Sequence, residues 1–482
     1  MRAFIEESFP IKEVSEISRK EKNIRHGHIS TLHIWWARRP LAASRATSYA
    51  ALIPAVGDVE EWEKRKQFII ELAKWENSLN KHIIEKARKD IVEANGKAPK
   101  VLDAFAGGGS IPLEALRLGC EVFAVEYNPV AVLILKCTLE YPQKFGKKLV
   151  DEVKKWGEWV LEEARKELKD FYPEDELESN ALSLEMENKK EKMAPVGYIW
   201  ARTIPCQNPS CNAEIPLMRQ FWLAKKDKKK IALMPFVEGG EVKFKIVGDG
   251  YEEMPANFNP EKGTVARAVA NCLVCGSTVD DKTVRKLFQQ GKSGQRMIAV
   301  VLNSKKGKIY RIATQKDIDA YRKAEEYLKE KRAKLMEEWG IDPVPDERII
   351  TPCHEVDRLP MYGMPTWGDL FNSRQKLALI TFAEKVRNAY SKMIAEGMDE
   401  EFAKAVVSYL GLLINRIADF ETNLCRWHPQ WQFIPNTFAR QALPMSWDYS
   451  ELNPFSPILT GTWESMHRQI KRVLEHLTSI NP

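Results

Sequence analysis

Apolar positions recur with two different periods along this chain, and the change of period divides it. Between residues 59 and 95, "VEEWEKRKQFIIELAKWENSLNKHIIEKARKDIVEAN", they return every three or four positions. That spacing predicts helix, and Gly96 stops it. Upstream, "RHGHISTLHIWWARRPLAASRATSYAALIP" becomes helical after Arg39-Pro40, because a proline in a first turn forfeits no backbone bond. Residues 100–140 then read strand, glycine turn, helix, strand, helix, and this unit is expected to end at Tyr141-Pro142. A charged helix follows to about residue 170, and "YPEDELESNALSLEMENKKEKM" reads as a linker.

From 196 to 312 the period falls to two, with short strands and turns such as "EVKFKIVGDG" and "RMIAVVLNSKKGKIYRI". Helical spacing returns at 315–340, with Gly340 as its stop, and twice more between 367 and 422. An irregular aromatic stretch, "CRWHPQWQFIPNTFARQALPMSWDYSELNPF", precedes a last helix at about 461–478. The chain shows no internal repeat. The expected organisation is an α/β protein with a helical cap at 1–98, the strand–turn–helix unit at 99–142, a helical region and linker at 143–195, a β insert at 196–312 and a mostly helical remainder at 313–482.

A length of 482 residues allows two to four domains, and 44% hydrophobic with 29% charged residues suits a soluble globular chain. The longest apolar run, "AVVSYLGLLI", is far short of the ~18 residues a membrane helix needs, and Asn415 and Arg416 follow it. No signal-peptide core is present in "MRAFIEESFPIKE". The expectation is a cytoplasmic protein without a membrane partner. Net charge is only +6, but Val196–Val300 carries sixteen Lys+Arg against ten Asp+Glu, densest in "KKDKKK" at 225–230. Such an excess favours a polyanion through counterion release, and a solvated loop accounts for it equally well.

"VLDAFAGGGSIPLEALRLGCEVFAVEYNPVAV" places Asp103 at the end of a buried strand and Gly107, Gly108 and Gly109 in the turn. Ser110 is positioned to cap the next helix, and Glu126 ends the second strand, where an acid can accept from a ribose diol. Asn128-Pro129 starts the following helix. The segment lacks the lysine of a phosphate-binding G-x-x-x-x-G-K-[ST] loop and the G-x-G-x-x-G of a dinucleotide site. An acid before the glycines suits a cofactor with a positive centre and an amino group, as in S-adenosylmethionine; a structural or dinucleotide turn is the alternative.

Of eight cysteines, Cys120 and Cys137 sit in apolar surroundings, and Cys353 and Cys425 are isolated; all four read as structural. "CQNPSC" (Cys206, Cys211) and "CLVC" (Cys272, Cys275) are two knuckles whose four thiolates suit one tetrahedral, structural zinc ion. The loop between them must then carry its own hairpins. His26, His28 and His33 have no acidic ligand among them and read as packing residues. Arg38 and Arg39, at a helix start, are candidates for holding a carboxylate such as that of a methionine moiety. Cys425 with His428 lacks a group to orient the imidazole.

"EKNIRHGHISTLHIWWARRPLAASRA", the glycine segment, the knuckles with "EIPLMRQFWLAKK", "WGDLFNSRQKLAL" and "NTFARQALPMSWDY" together resemble the prokaryotic zinc-ribbon-containing, adenine-specific DNA methylases. The resemblance implies a partial Rossmann-like methyltransferase sheet with a zinc-ribbon insert. It implies S-adenosylmethionine at Asp103, Ala104, Phe105, Gly107 and Gly109, with Glu126 on the ribose and Asn128 beside it, and DNA as partner. That family carries a D/N-P-P-Y motif which grips the amine of a flipped base. This chain has no Pro-Pro dipeptide; "NPFS" at 453–456 is its nearest approach, expected in an irregular stretch rather than after a strand. The chain therefore offers no catalytic residue, and a second polypeptide is expected to supply that motif and complete the sheet. An RNA methyltransferase, and a zinc-ribbon nucleic-acid-binding or scaffold protein with a relict cofactor fold, are the competing expectations.

Overall fold

A computed structural model describes residues 2–177, 191–304, 307–350, 358–439, 442–457 and 459–480. Cys353 and the middle of the expected linker lie outside the described residues. The fold is mixed α/β. Helices α1 (Phe4–Glu7), α2 (Ile11–Glu21), α3 (Leu41–Leu52), α4 (Val59–Ala73) and α5 (Lys81–Asn95) precede β1 (Lys100–Asp103), α6 (Ser110–Arg117), β2 (Glu121–Ala124), α7 (Pro129–Leu135) and α8 (Tyr141–Leu168). Strands β3 (Asp175–Leu177), β4 (Glu191–Met193), β5 (Pro195–Pro205), β6 (Glu214–Leu217), β7 (Trp222–Lys226), β8 (Lys229–Glu238) and β9 (Glu241–Gly248) follow. Next come β10 (Val265–Ala266), β11 (Val269–Asn271), β12 (Thr278–Val279), α9 (Asp281–Gln289), β13 (Gly294–Ser304) and β14 (Gly307–Ile312). The chain closes with α10 (Gln315–Trp339), α11 (Ser373–Ala395), α12 (Glu400–Ala418), β15 (Asp448–Leu452) and α13 (Trp463–Thr478). Two compact units emerge: Met1–Trp159 with Val386–Leu413 and His467–Pro482, and Val160–Lys385 with Ile414–Met466.

In the first unit the helical run at 59–95 is two helices, not one. Asn77 breaks it by donating to the Glu71 carbonyl at 2.8 Å, and Gly96 at φ 71° then ends α5 as its sequence requires. Phe4, Ala46, Tyr49, Ile69, Leu72, Ile84, Ala87, Ile91 and Leu118 form the core. Within it the fully buried Glu114 of α6 bridges Arg45 of α3 at 3.2 Å and Arg117 at 2.9 Å. Stripping one partner from such a cluster costs about 3–5 kcal/mol, because the rest is left as uncompensated buried charge. A π-helical segment, Lys136–Glu140, joins α7 to α8, so the chain stays helical through Tyr141-Pro142, and the Tyr141 N–H reaches back to the Lys136 carbonyl.

The second unit is built on an antiparallel sheet in the order β14-β13-β5-β15, with β6 also paired to β5. Ten consecutive residues of β5 are buried, which suits a central strand. Strand β15 corrects the expectation for the aromatic stretch: it pairs residue for residue with β5, from Asp448↔Ala201 to Leu452↔Gly197. Its Glu451 is fully buried and holds Arg374 of α11 through bonds of 2.6 and 3.0 Å, and it accepts from Trp200 Nε1 at 2.8 Å. Tertiary pairing, invisible to periodicity, turned an irregular reading into a strand. Between the cysteine knuckles, β7-β8-β9 form an antiparallel sheet. No described helix is long and apolar enough to cross a membrane.

Candidate functional site: a glycine bend and a cysteine cluster

Strands β1 and β2 run parallel with Asp103 opposite Ala124, so Asp103 and Glu126 both lie at the carboxyl ends of adjacent strands. Gly107 and Gly109 hold φ 51° and 78°, the left-handed region where a Cβ is penalised. Glu126 Oε2 accepts from the Gly107 N–H at 2.7 Å, and its Oε1 accepts from the N–H groups of Tyr127 at 2.8 Å and Asn128 at 3.2 Å. These three donors, Asn128's first, hold the Glu126 carboxyl below its usual range. Asp103 is half-buried and accepts from the Phe105 N–H at 3.2 Å. Asn128 caps α7 through bonds to Val130 and Ala131, as its sequence anticipates. Gly109, not Ser110, is the N-cap of α6; the Ser110 hydroxyl is buried without a hydrogen-bond partner among the described residues.

Ala104 and Phe105 are exposed, Phe105 to 89% and the neighbouring Tyr127 to 100%. On the sheet itself, Val101 and Val122 pack into the helical core. The opposite face shows Leu102, 67% exposed, beside Phe123, 44% exposed. Parallel strands are ordinarily covered on both faces.

One wall of the bend was not foreseen. A Cβ on Gly107 would stand 2.6 Å from Trp35 Nε1, and one on Gly108 would stand 3.0 Å from Trp35 Cβ. No spacing rule links residues seventy-two positions apart. In the same N-terminal segment His28 is held structurally: it bonds Glu21 at 2.9 Å, and Glu21 accepts the Leu41 and Ala42 N–H groups at 2.9 and 2.8 Å. The start of α3 thus already holds a carboxylate, from Glu21. Arg38 is half-buried in the field of Glu21 and Arg25, and Arg39 is exposed.

In the second unit the four knuckle thiols come together. All four Sγ atoms lie within 4.8 Å of one another; Cys206–Cys275 are 3.6 Å apart and Cys211–Cys272 are 3.8 Å apart. A tetrahedron of zinc–sulfur bonds of about 2.3 Å has edges of about 3.8 Å, so the thiols are spaced for one ion. The Cys206 N–H donates to Ala213 and the Cys272 N–H to Ser277, folding each knuckle back on itself; Asn212 at φ 52° and Gly276 at φ 72° make the turns possible. Hydrogen bonds from Ser277 draw the Cys275 thiol down to about 6, while burial pushes the Cys206 thiol up to about 12; a metal would take all four as thiolates. Cys206 and Cys272 belong to the hydrophobic cluster of Ile204, Ile215, Leu217, Val265 and Leu287.

The remaining expectations resolve as packing. Cys120, Cys137 and Cys425 are buried, and His428 stacks on Phe433. Asn453 directly follows strand β15, contrary to expectation, but its amide donates to the Pro195 carbonyl at 2.8 Å and its Oδ1 accepts from Phe455. Those bonds and its burial tie the side chain into the fold. Residues 8–77, the segment that carries Glu21, His28 and Trp35, match the family model described as "Protein of unknown function (DUF1156)". No curated protein and no solved structure matches the chain.

Proposed function

We propose that this chain is the S-adenosylmethionine-binding part of a DNA amino-methyltransferase, with adenine N6 as the acceptor. Its D/N-P-P-Y strands would come from a second polypeptide. The observation that carries the proposal is the juxtaposition of Asp103 and Glu126 at the carboxyl ends of two parallel strands, across a glycine bend that Glu126 itself holds. Ligands of open α/β sheets bind at that end. The cofactor supplies an electrophilic methyl group on a sulfonium. Glu126 Oε2 keeps an acceptor site for a ribose hydroxyl beyond its bond to Gly107. Asp103 supplies negative charge for the amino acid moiety, and Phe105 and Tyr127 offer exposed rings for the adenine.

The uncovered Leu102 and Phe123 support a partner that contributes further strands or helices to this sheet. The cysteine cluster suits a structural zinc, since four sulfur ligands leave no coordination position for water. A second reading has its own observation: Trp35 lies against Gly107 and Gly108, so the glycines could serve to seat the indole in a nucleic-acid-binding scaffold that has lost its cofactor.

Calorimetric titration with S-adenosylmethionine separates the two, because only the first expects saturable binding. Co-expression with a D/N-P-P-Y polypeptide should then give transfer of labelled methyl groups to duplex DNA. Transfer by this chain alone would refute the split arrangement, and transfer to structured RNA but not to DNA would move the acceptor.

A further inference from the structure

The tip of the β7–β8 hairpin pairs like charges. Lys225 faces Lys230, and Lys226 faces Lys229, in register, an arrangement that destabilises a sheet unless something anionic meets it. Asp227 and Lys228 make the turn. The nearby acids are engaged elsewhere: Glu261 pairs with Lys225, and Asp249 accepts the Lys230 main-chain N–H at 2.7 Å. Among the described residues, Lys226, Lys228 and Lys229 have no carboxylate within ion-pair distance. A further cation joins from β14. Lys229 Nζ donates to the Lys308 carbonyl at 2.5 Å, and Lys308, half-buried and facing Lys226 and Lys229, is pushed down to about 8, mainly by burial.

A hydrogen-bonded loop adjoins these lysines. The Lys225 N–H donates to Pro429 O at 3.1 Å, Trp427 Nε1 donates to Leu223 O at 2.6 Å, and Lys308 Nζ donates to Gln432 O. Gln432 takes φ 53° to close the turn, and Trp431 beside it stands 67% exposed. A merely solvated lysine run needs neither the burial of Lys308 nor an exposed indole beside it.

We propose that Lys226, Lys228, Lys229 and Lys308, with Trp431, form a nucleic-acid contact in which the ammonium groups take backbone phosphates and the indole stacks on an unpaired base. A group of cations beside an exposed ring matches the phosphates and an unstacked base of a strand; an acidic peptide would use only the lysines. The proposal deepens the function proposed above by naming the surface that holds the polyanion.

Fluorescence anisotropy of the full chain, with a single-stranded and a duplex DNA across a sodium chloride series, tests it. K226Q/K228Q/K229Q should weaken binding to every sequence and reduce the log–log salt slope by about 2–3. W431A should weaken single-strand binding roughly fivefold or more and leave the slope unchanged. Circular dichroism checks that both variants fold. Unchanged affinity and slope in the triple variant, or no DNA binding by the wild type, would overturn the proposal. So would polyglutamate competing as well as DNA while W431A has no effect. S-adenosylmethionine titration of the same proteins keeps the two ideas apart: cofactor binding can fail while the lysine map holds, and the reverse.

Discussion

The Glu126 carboxylate accepts the backbone N–H of Gly107 at 2.7 Å, so the acid ending one strand braces the turn that follows its neighbour. A single side chain therefore shapes the bend and, in the proposed function, greets the ribose. Glu126→Gln should lower S-adenosylmethionine affinity about tenfold or more, read by calorimetry, since an oxygen acceptor becomes a donor. The pH dependence has a defined sign. The backbone bonds hold this carboxyl below its ordinary value of 4.5, so its contribution is present above that value and fades only as pH falls through the lower folded value. Affinity should be flat from pH 8 to about 5, and a decline that has already begun above about pH 5 as the pH falls would contradict the assignment.

Gly107→Ala meets both a left-handed φ of 51° and the Trp35 indole. The two penalties together should cost about 2–4 kcal/mol in urea unfolding. Trp35→Ala in the same chain removes the clash and leaves the φ strain, so the paired change should be sub-additive by about 0.5 kcal/mol or more. Strict additivity would mean that Trp35 does not rest on the bend.

His476 stacks on Trp75 at 4.8 Å, and its Nε2 lies 3.3 Å from Arg117. Burial, then Arg117 and Arg45, draws its pKa from 6.5 to about 3. Unfolded, the imidazole protonates first, so the stability it supports is complete above about pH 6.5 and is lost progressively down to about pH 3. His476→Phe, which keeps the ring, should flatten that acid limb in denaturation curves taken at several pH values. An unaltered limb would place the dependence on another group.

Metal analysis should return one zinc per chain, and Cys272→Ser should lower it. Because the thiols must be deprotonated to bind, acid should release the zinc as a chelator does, and chelation at neutral pH should free Cys211 and Cys275 to maleimide. Equal labelling with and without chelator would show that the cluster holds no ion.

What the sequence determined is what depends on neighbours in the chain. Gly96 and Gly340 at φ 71° and 70° stop α5 and α10, Asn128 caps α7, and the two cysteine knuckles are legible because a turn and its ligands lie within a few residues. The strand–bend–helix order around Asp103 and Glu126 is local in the same sense. Tertiary structure alone decided the rest. Trp35 reaches Gly107 across seventy-two positions, Glu114 joins Arg45 and Arg117, and β15 forms because β5 offers it an unpaired edge and Arg374 awaits Glu451. Those contacts draw their energy from burial and charge pairing between distant segments, which no period of three or two along the chain can encode.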